Sequence, residues 1–309
     1  MKSLLRIFLL IPFVIACRSS VGIDDLYPDE VGNSVGFSAK VQTRAVSEND
    51  ASVVQTNGFG VWGGYEGGTE AVFANTHVTY EDGTWGYDNT KYWTNNTYNF
   101  YAVYPASTDA SYDASTGEFT ITDYDITNNV DLLIGAVENH EYPLDGPTVN
   151  INFEHALAQI SFSAKKDEGA GTVKIKSAKF YGVPSAGTYT SSIEGWSHKS
   201  EDYTTNSLPF ANKTTETEIE TTATDVFGTP LLVFPSTHIP ATYILYVEYA
   251  ASGQESTSSM LLAAASLDKW EAGKKYNYTF TIIDKNTIIF DVPKVTPWTE
   301  SNGNVIIVE

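Results

Sequence analysis

The chain has 309 residues, 42% of them hydrophobic, and a formal net charge of −20. That length leaves room for two domains with real cores. The acidic balance argues against nucleic acid as a partner, because phosphate contacts need a basic face, and it suits a secreted protein kept soluble by its charge.

Residues 1–16 read as a signal peptide. Lys2 and Arg6 precede an apolar run at 7–16, shorter than the ~20 residues a membrane-spanning helix needs. The run ends Val14-Ile15-Ala16-Cys17, a small residue before a cysteine with apolar residues behind it. Signal peptidase needs the small residue to cut behind, and the thiol takes the lipid. Cys17 is the only cysteine, so an internal disulfide is ruled out. The expectation is a lipoprotein anchored in the outer membrane through acylated (palmitate-bearing) Cys17.

Residues 17–45 read as a tether and a strand. Residues 18–33 carry few large apolar side chains. Val35, Phe37, Ala39 and Val41 then alternate with Gly36, Ser38, Lys40 and Gln42, the period-two pattern of an amphipathic strand. A strand set between two polar stretches must pack on something downstream. Thr43-Arg44-Ala45 follows at once. Arg6, Arg18 and Arg44 are the chain's three arginines, so an arginine-specific protease cutting between Arg44 and Ala45 would separate the strand and leave the body intact.

The first domain is expected over 46–147, as strands and tight turns. Glu81-Asp82-Gly83 between HVTY and TWGY is a hairpin signal. Tyr98, Phe100, Ala102 and Tyr104 line one face of a long strand that Pro105 ends. Gly63-Gly64 and Gly67-Gly68 read as loop, as does the polar stretch 106–117. Further strands are expected at 119–126 and 131–137, and no convincing helical period longer than a few turns is present.

The second domain is expected over 148–309. It opens on VNINFEHALAQISFSAK at 149–165, two alternating strands joined through Phe153-Glu154-His155-Ala156-Leu157-Ala158 and read as the crossing between the domains. Strands follow at 172–181, 231–234, 243–249 and 276–282; residues 195–224 are polar and read as loop with short strands. The fold class is therefore all-β, two tandem β-sandwich domains.

Signs of catalysis are scarce. His77, His140, His155, His198 and His238 show no metal-ligand spacing, and the acids at Asp123 and Asp125, or at Glu81, Asp82 and Asp88, lack a calcium-loop pattern. His155 reads as a half-buried histidine satisfied by backbone. Trp196, in a polar loop beside His198, is the best aromatic candidate for stacking on a sugar. No cofactor or metal is expected, and an enzyme, such as a glycosidase with two carboxylates, ranks behind the other classes.

Four segments carry a resemblance. Phe153-Glu154-His155-Ala156-Leu157 leading into Gln159-Ile160-Ser161-Phe162 resembles the centre of the fimbrillin family. KYWTNNTYNFYAVYP at 91–105, DLLIGAV at 131–137 and WEAGKKYNYTFTI at 270–282 are similar to other family segments, in the family's order. The resemblance implies transthyretin-like sandwiches and a surface pilus or adhesion subunit made as a lipoprotein. It also implies proteolysis at a site like Thr43-Arg44-Ala45, removal of the strand at Val35, Phe37, Ala39 and Val41, and strand addition between subunits. The apolar end, Val305, Ile306, Ile307 and Val308, either completes the second sandwich or serves as the donor strand. Family stalk subunits often carry a longer extension than the tail after Trp298. Expected partners are other pilus subunits, the outer membrane, and a surface glycan or protein receptor. The alternative is a monomeric glycan-binding lipoprotein.

Overall fold

The computed structural model describes residues 33–41, 48–65, 67–199, 207–208, 211–265 and 267–298. The first sheet holds β1 (Gly36–Val41), β2 (Phe59–Tyr65), β3 (Phe73–Glu81), β4 (Thr84–Gly86), β5 (Thr97–Tyr104), β8 (Leu133–Glu141) and β9 (Thr148–His155), in spatial order β1-β9-β8-β5-β2-β3-β4. A second sheet of four strands, β6 (Ala110–Asp113), β7 (Glu118–Asp125), β12 (Ala186–Thr190) and β13 (Gly195–Ser197), runs β13-β12-β7-β6. The third centres on β10 (Ala158–Lys166) and β20 (Lys274–Ile282), with β16 (Thr224–Asp225), β17 (Leu231–Val233), β21 (Ile288–Phe290) and β22 (Lys294–Pro297) at their flanks. The fourth centres on β11 (Val173–Tyr181) and β18 (Ile244–Ala251), joined by β14 (Asn212–Lys213), β15 (Thr217–Ile219) and β19 (Gln254–Leu261). The fold is all-β and sandwich-like, as the composition predicts.

Alternation places the core. Val149, Ile151 and Phe153 of β9 are fully buried, while Asn150, Asn152 and Glu154 between them are exposed. Leu245, Val247 and Tyr249 repeat this in β18. β3 and β4 form the expected hairpin: Asp82 (φ 50°) and Gly83 (φ 86°) both take the left-handed conformation, the requirement of a tight turn matched to strand twist.

β5 departs from the one-faced reading. Tyr98, Phe100 and Ala102 face the core inside the first sheet, whereas Tyr101 and Val103 face a second, larger core. A strand covered on both sides reads as a continuous apolar run, and TYNFYAVY is close to one. The outer cover comes partly from the four-stranded sheet, where the Phe119 ring stacks on Tyr101 at 4.9 Å. Phe162 of β10 meets Phe180 of β11 at 5.1 Å in the larger core, between the third and fourth sheets.

Several boundaries move. The expected division before residue 148 falls inside the first sheet, because β9 pairs with β1 and β8 and the chain leaves that sheet after His155. Ala156 and Leu157 link β9 of the first sheet to β10 of the third. The four-stranded sheet joins β7 to β12, so it draws on both halves of the chain. Gly63 and Gly64 belong to β2, and the polar stretch 106–117 contains β6. A helix, α1 (Glu48–Asn57), stands where a polar linker was expected, with Val54 buried.

Candidate functional site

β1 is the element on which a removable-strand reading rests. It lies at one end of the first sheet and pairs in parallel with β9, in register from Gly36–Thr148 to Val41–Phe153. The other pairs of that sheet are antiparallel. Val35, Phe37 and Val41 are buried and Ala39 packs against the same core. The Phe37 ring sits edge-on against Phe73 (5.3 Å), Tyr87 (5.6 Å) and Phe100 (5.9 Å), geometry that adds to the burial of the ring.

Polar contacts fix the approach to β1. The Val35 amide donates to the Lys91 carbonyl (2.8 Å) and the Trp93 amide to the Asn33 carbonyl (3.0 Å). The Tyr87 hydroxyl donates to the Val35 carbonyl at 2.8 Å, and burial raises that phenol above its ordinary value, so it remains a donor. The Gly36 amide bonds to the Pro147 carbonyl at 2.9 Å, and the Ser38 hydroxyl donates to Asn150 Oδ1 at 2.6 Å. Beyond its first residues β1 has β9 as ladder partner. β9 in turn forms ladder pairs with β8 at Glu154 and His155, and Thr148–Phe153 find their ladder partner in β1.

A second cluster forms at the crossing. His155 Nδ1 lies 2.6 Å from an Asp131 carboxylate oxygen, its side chain 1% exposed. The expected backbone partner is thus replaced by a carboxylate from 24 residues earlier. The Trp298 ring stacks on His155 with centroids 4.0 Å apart and planes 7° from parallel. The Trp298 amide bonds to the Gly273 carbonyl, and the Gly273 amide to the Leu157 carbonyl, each at 2.9 Å. Trp196 belongs to the same joint. Its indole N–H donates to the Ala156 carbonyl at 3.1 Å, and its ring meets Phe234 at 4.8 Å. It packs as a brace for the crossing, which corrects its reading as a sugar-stacking platform.

The remaining candidates divide in two. Cys17, Arg44, Ala45, Val305, Ile306, Ile307 and Val308 lie outside the described residues. Of the acids, Asp123 pairs with Lys199 at 3.0 Å and an Asp125 oxygen accepts from the Thr127 amide at 2.7 Å. Among the described residues no group of His, Cys, Asp or Glu is arranged to hold a metal ion, and no helix is long and apolar enough to cross a membrane.

Stacked sheets packed around two cores, with an N-terminal strand laid in parallel on one end, place the chain among the β-sandwich proteins. The model of the fimbrillin-like family matches residues 43–298, and the chain belongs to that family. Among solved structures, it is similar to a fimbrial protein from Bacteroides vulgatus, with a TM-score of 0.63 and 19% identity over 86% of this chain and 100% of that one. It is also similar to a candidate cell adhesion protein from Bacteroides uniformis, with a TM-score of 0.51 and 21% identity over 86% of this chain and 99% of that one. At these identities the likeness speaks to fold. A search of curated proteins finds no match.

Proposed function

We propose that the chain is a structural or adhesive, non-enzymatic subunit of a surface fimbria. It is exported as a lipoprotein through Cys17 and assembles by strand addition after a cut between Arg44 and Ala45 frees β1. Membership of the fimbrillin-like family supports the pilus role. The observation that carries the assembly step is the pairing of β1: one parallel ladder to β9, with Val35, Phe37 and Val41 seated in the core. Loss of that strand would open an apolar groove beside unpaired backbone groups, the usual acceptor for an added strand. A strand from a second subunit, with the segment 305–308 as the candidate, would fill it.

Treatment of the purified precursor with an arginine-specific protease tests this. One product beginning at Ala45 should form and oligomerise, and Arg44→Ala should prevent both. Resistance of Arg44 to the protease, or a cut product that keeps β1 and stays monomeric beside intact partner subunits, would refute the assembly step. The anchor has its own readout: labelled palmitate should enter the wild type, and Cys17→Ser taking up equal label would contradict it.

A further inference from the structure

A polar cleft of about 670 Å³ opens where the outer face of β5 and β8 meets the turns of the four-stranded sheet, lined in part by Asn99, Tyr101, Glu118, Glu138, Asn139 and Glu194. We infer that this cleft is a binding site for a neutral, hydroxyl-rich ligand, a short uncharged oligosaccharide. The inference rests on the adhesive reading of the subunit and names its ligand class.

The volume falls within the ~300–1,000 Å³ typical of ligand pockets. The lining decides the chemistry. Carboxylates of Glu118, Glu138 and Glu194 face a space with no lysine, arginine or histidine on its walls, which repels sialylated, sulfated or phosphorylated ligands. Amides and hydroxyls supply most of the rest, so an apolar ligand would leave them unpaired at a cost. Carboxylates accept and amides both accept and donate, the set that matches sugar hydroxyls. Ile193, 65% exposed at the rim, offers an apolar surface for the C–H face of a ring.

The groups are also held in place. The Tyr101 hydroxyl donates to Glu138 Oε1, and burial followed by that carboxylate keeps the phenol well above its ordinary value, hence protonated. Ser192 Oγ donates to Glu118 Oε2 at 2.6 Å. The Asn139 amide donates to Asn99 Oδ1 at 2.9 Å. One oxygen of Glu118 and one of Glu138 is thus fixed, leaving each a second oxygen with acceptor capacity. Asn99 and Asn139 stand at a register break between β5 and β8, and such bulges re-aim side chains. Asn139 (φ 58°) and Glu194 (φ 45°) both sit in the left-handed region, so two lining residues hold a conformation that non-glycine residues seldom adopt.

The test uses the cut, mature chain on an array of neutral, sialylated and sulfated oligosaccharides, with calorimetry on the best binder and spermidine as competitor. Neutral oligosaccharides should bind, and the double variant Glu118→Gln/Glu138→Gln should bind at least tenfold more weakly with unchanged melting. Glu216→Gln, a carboxylate paired to Lys174 elsewhere on the surface, should bind as wild type. Should the double variant fail to fold, Ile193→Asp at the exposed rim should give the same loss. Overturning results are no oligosaccharide bound, preference for charged ones, displacement by spermidine alone, or variants that bind as wild type. Filament formation is scored in the same samples. Filaments without sugar binding defeat the cleft and spare the pilus reading; sugar binding without filaments does the reverse.

Discussion

Replacing Phe37 by alanine is expected to destabilise the first sheet by about 3–5 kcal/mol, the usual cost of emptying a buried phenylalanine site, and to let uncut chain oligomerise. Phe37 is 6% exposed and meets three aromatic rings. Its neighbours Val35 and Val41 are smaller, so the ring is the chief apolar anchor of β1. A parallel ladder is slightly weaker per residue than an antiparallel one, which leaves side-chain burial to hold the strand. Phe73→Ala, on the body side of the same contact, is the comparison. It should cost stability to a similar extent without promoting assembly, because β1 would still cover β9. Urea unfolding and size-exclusion chromatography on the two variants read both effects; equal assembly by both would show that Phe37 is ordinary core.

Gly182→Ala is expected to be of similar cost, at about 2–5 kcal/mol, or to prevent folding of the second half. Gly182 follows β11 with φ at 83°, and a Cβ there would lie 1.7 Å from the Thr242 carbonyl oxygen. The left-handed conformation costs a non-glycine residue about 1–2 kcal/mol, and overpacking adds about 1–3 kcal/mol. The colliding atom is backbone just before β18, so it yields only if the β11–β18 pair shifts. Gly253→Ala has a similar φ, 76°, and open space around it. It should show the conformational cost alone. Comparable melting losses for both would mean the backbone at Thr242 moves freely.

What the sequence disclosed follows from where apolar side chains alternate. β1, β9, β18 and β20 each carry a buried face that alternates with less buried residues, and each is plain in the sequence. The Trp270-x-x-Gly273-x-x-Tyr276-x-Tyr278 segment is legible for a local reason. Trp270 Nε1 donates to the Tyr278 hydroxyl at 2.8 Å, and the Glu271 amide to the Tyr276 hydroxyl at 2.7 Å, around a left-handed Gly273. Elements without a pattern were hidden. α1 carries two valines as its large apolar residues, and β12, AGTYT, has no alternating apolar face. Long-range partners were hidden as well: Asp131 beside His155, β7 beside β12, and the turns that meet β5 and β8 to form the polar cleft. Alternation reports that a face is buried, and it is silent on what buries it.

The central claim is that β1 is a removable cover for β9, and amide hydrogen exchange along β9 tests it most directly. In the precursor, the amides of Val149, Ile151 and Phe153 should be protected, since in this parallel register they are the ones that face β1, and the ladder pairs with β8 lie at Glu154 and His155. After cutting at Arg44 and removal of the freed peptide, protection of those amides should collapse while β18 and β20 keep theirs. It should return when subunits assemble. Protection of those three amides that survives complete removal of β1, or that stays lost in assembled filaments, would contradict the account.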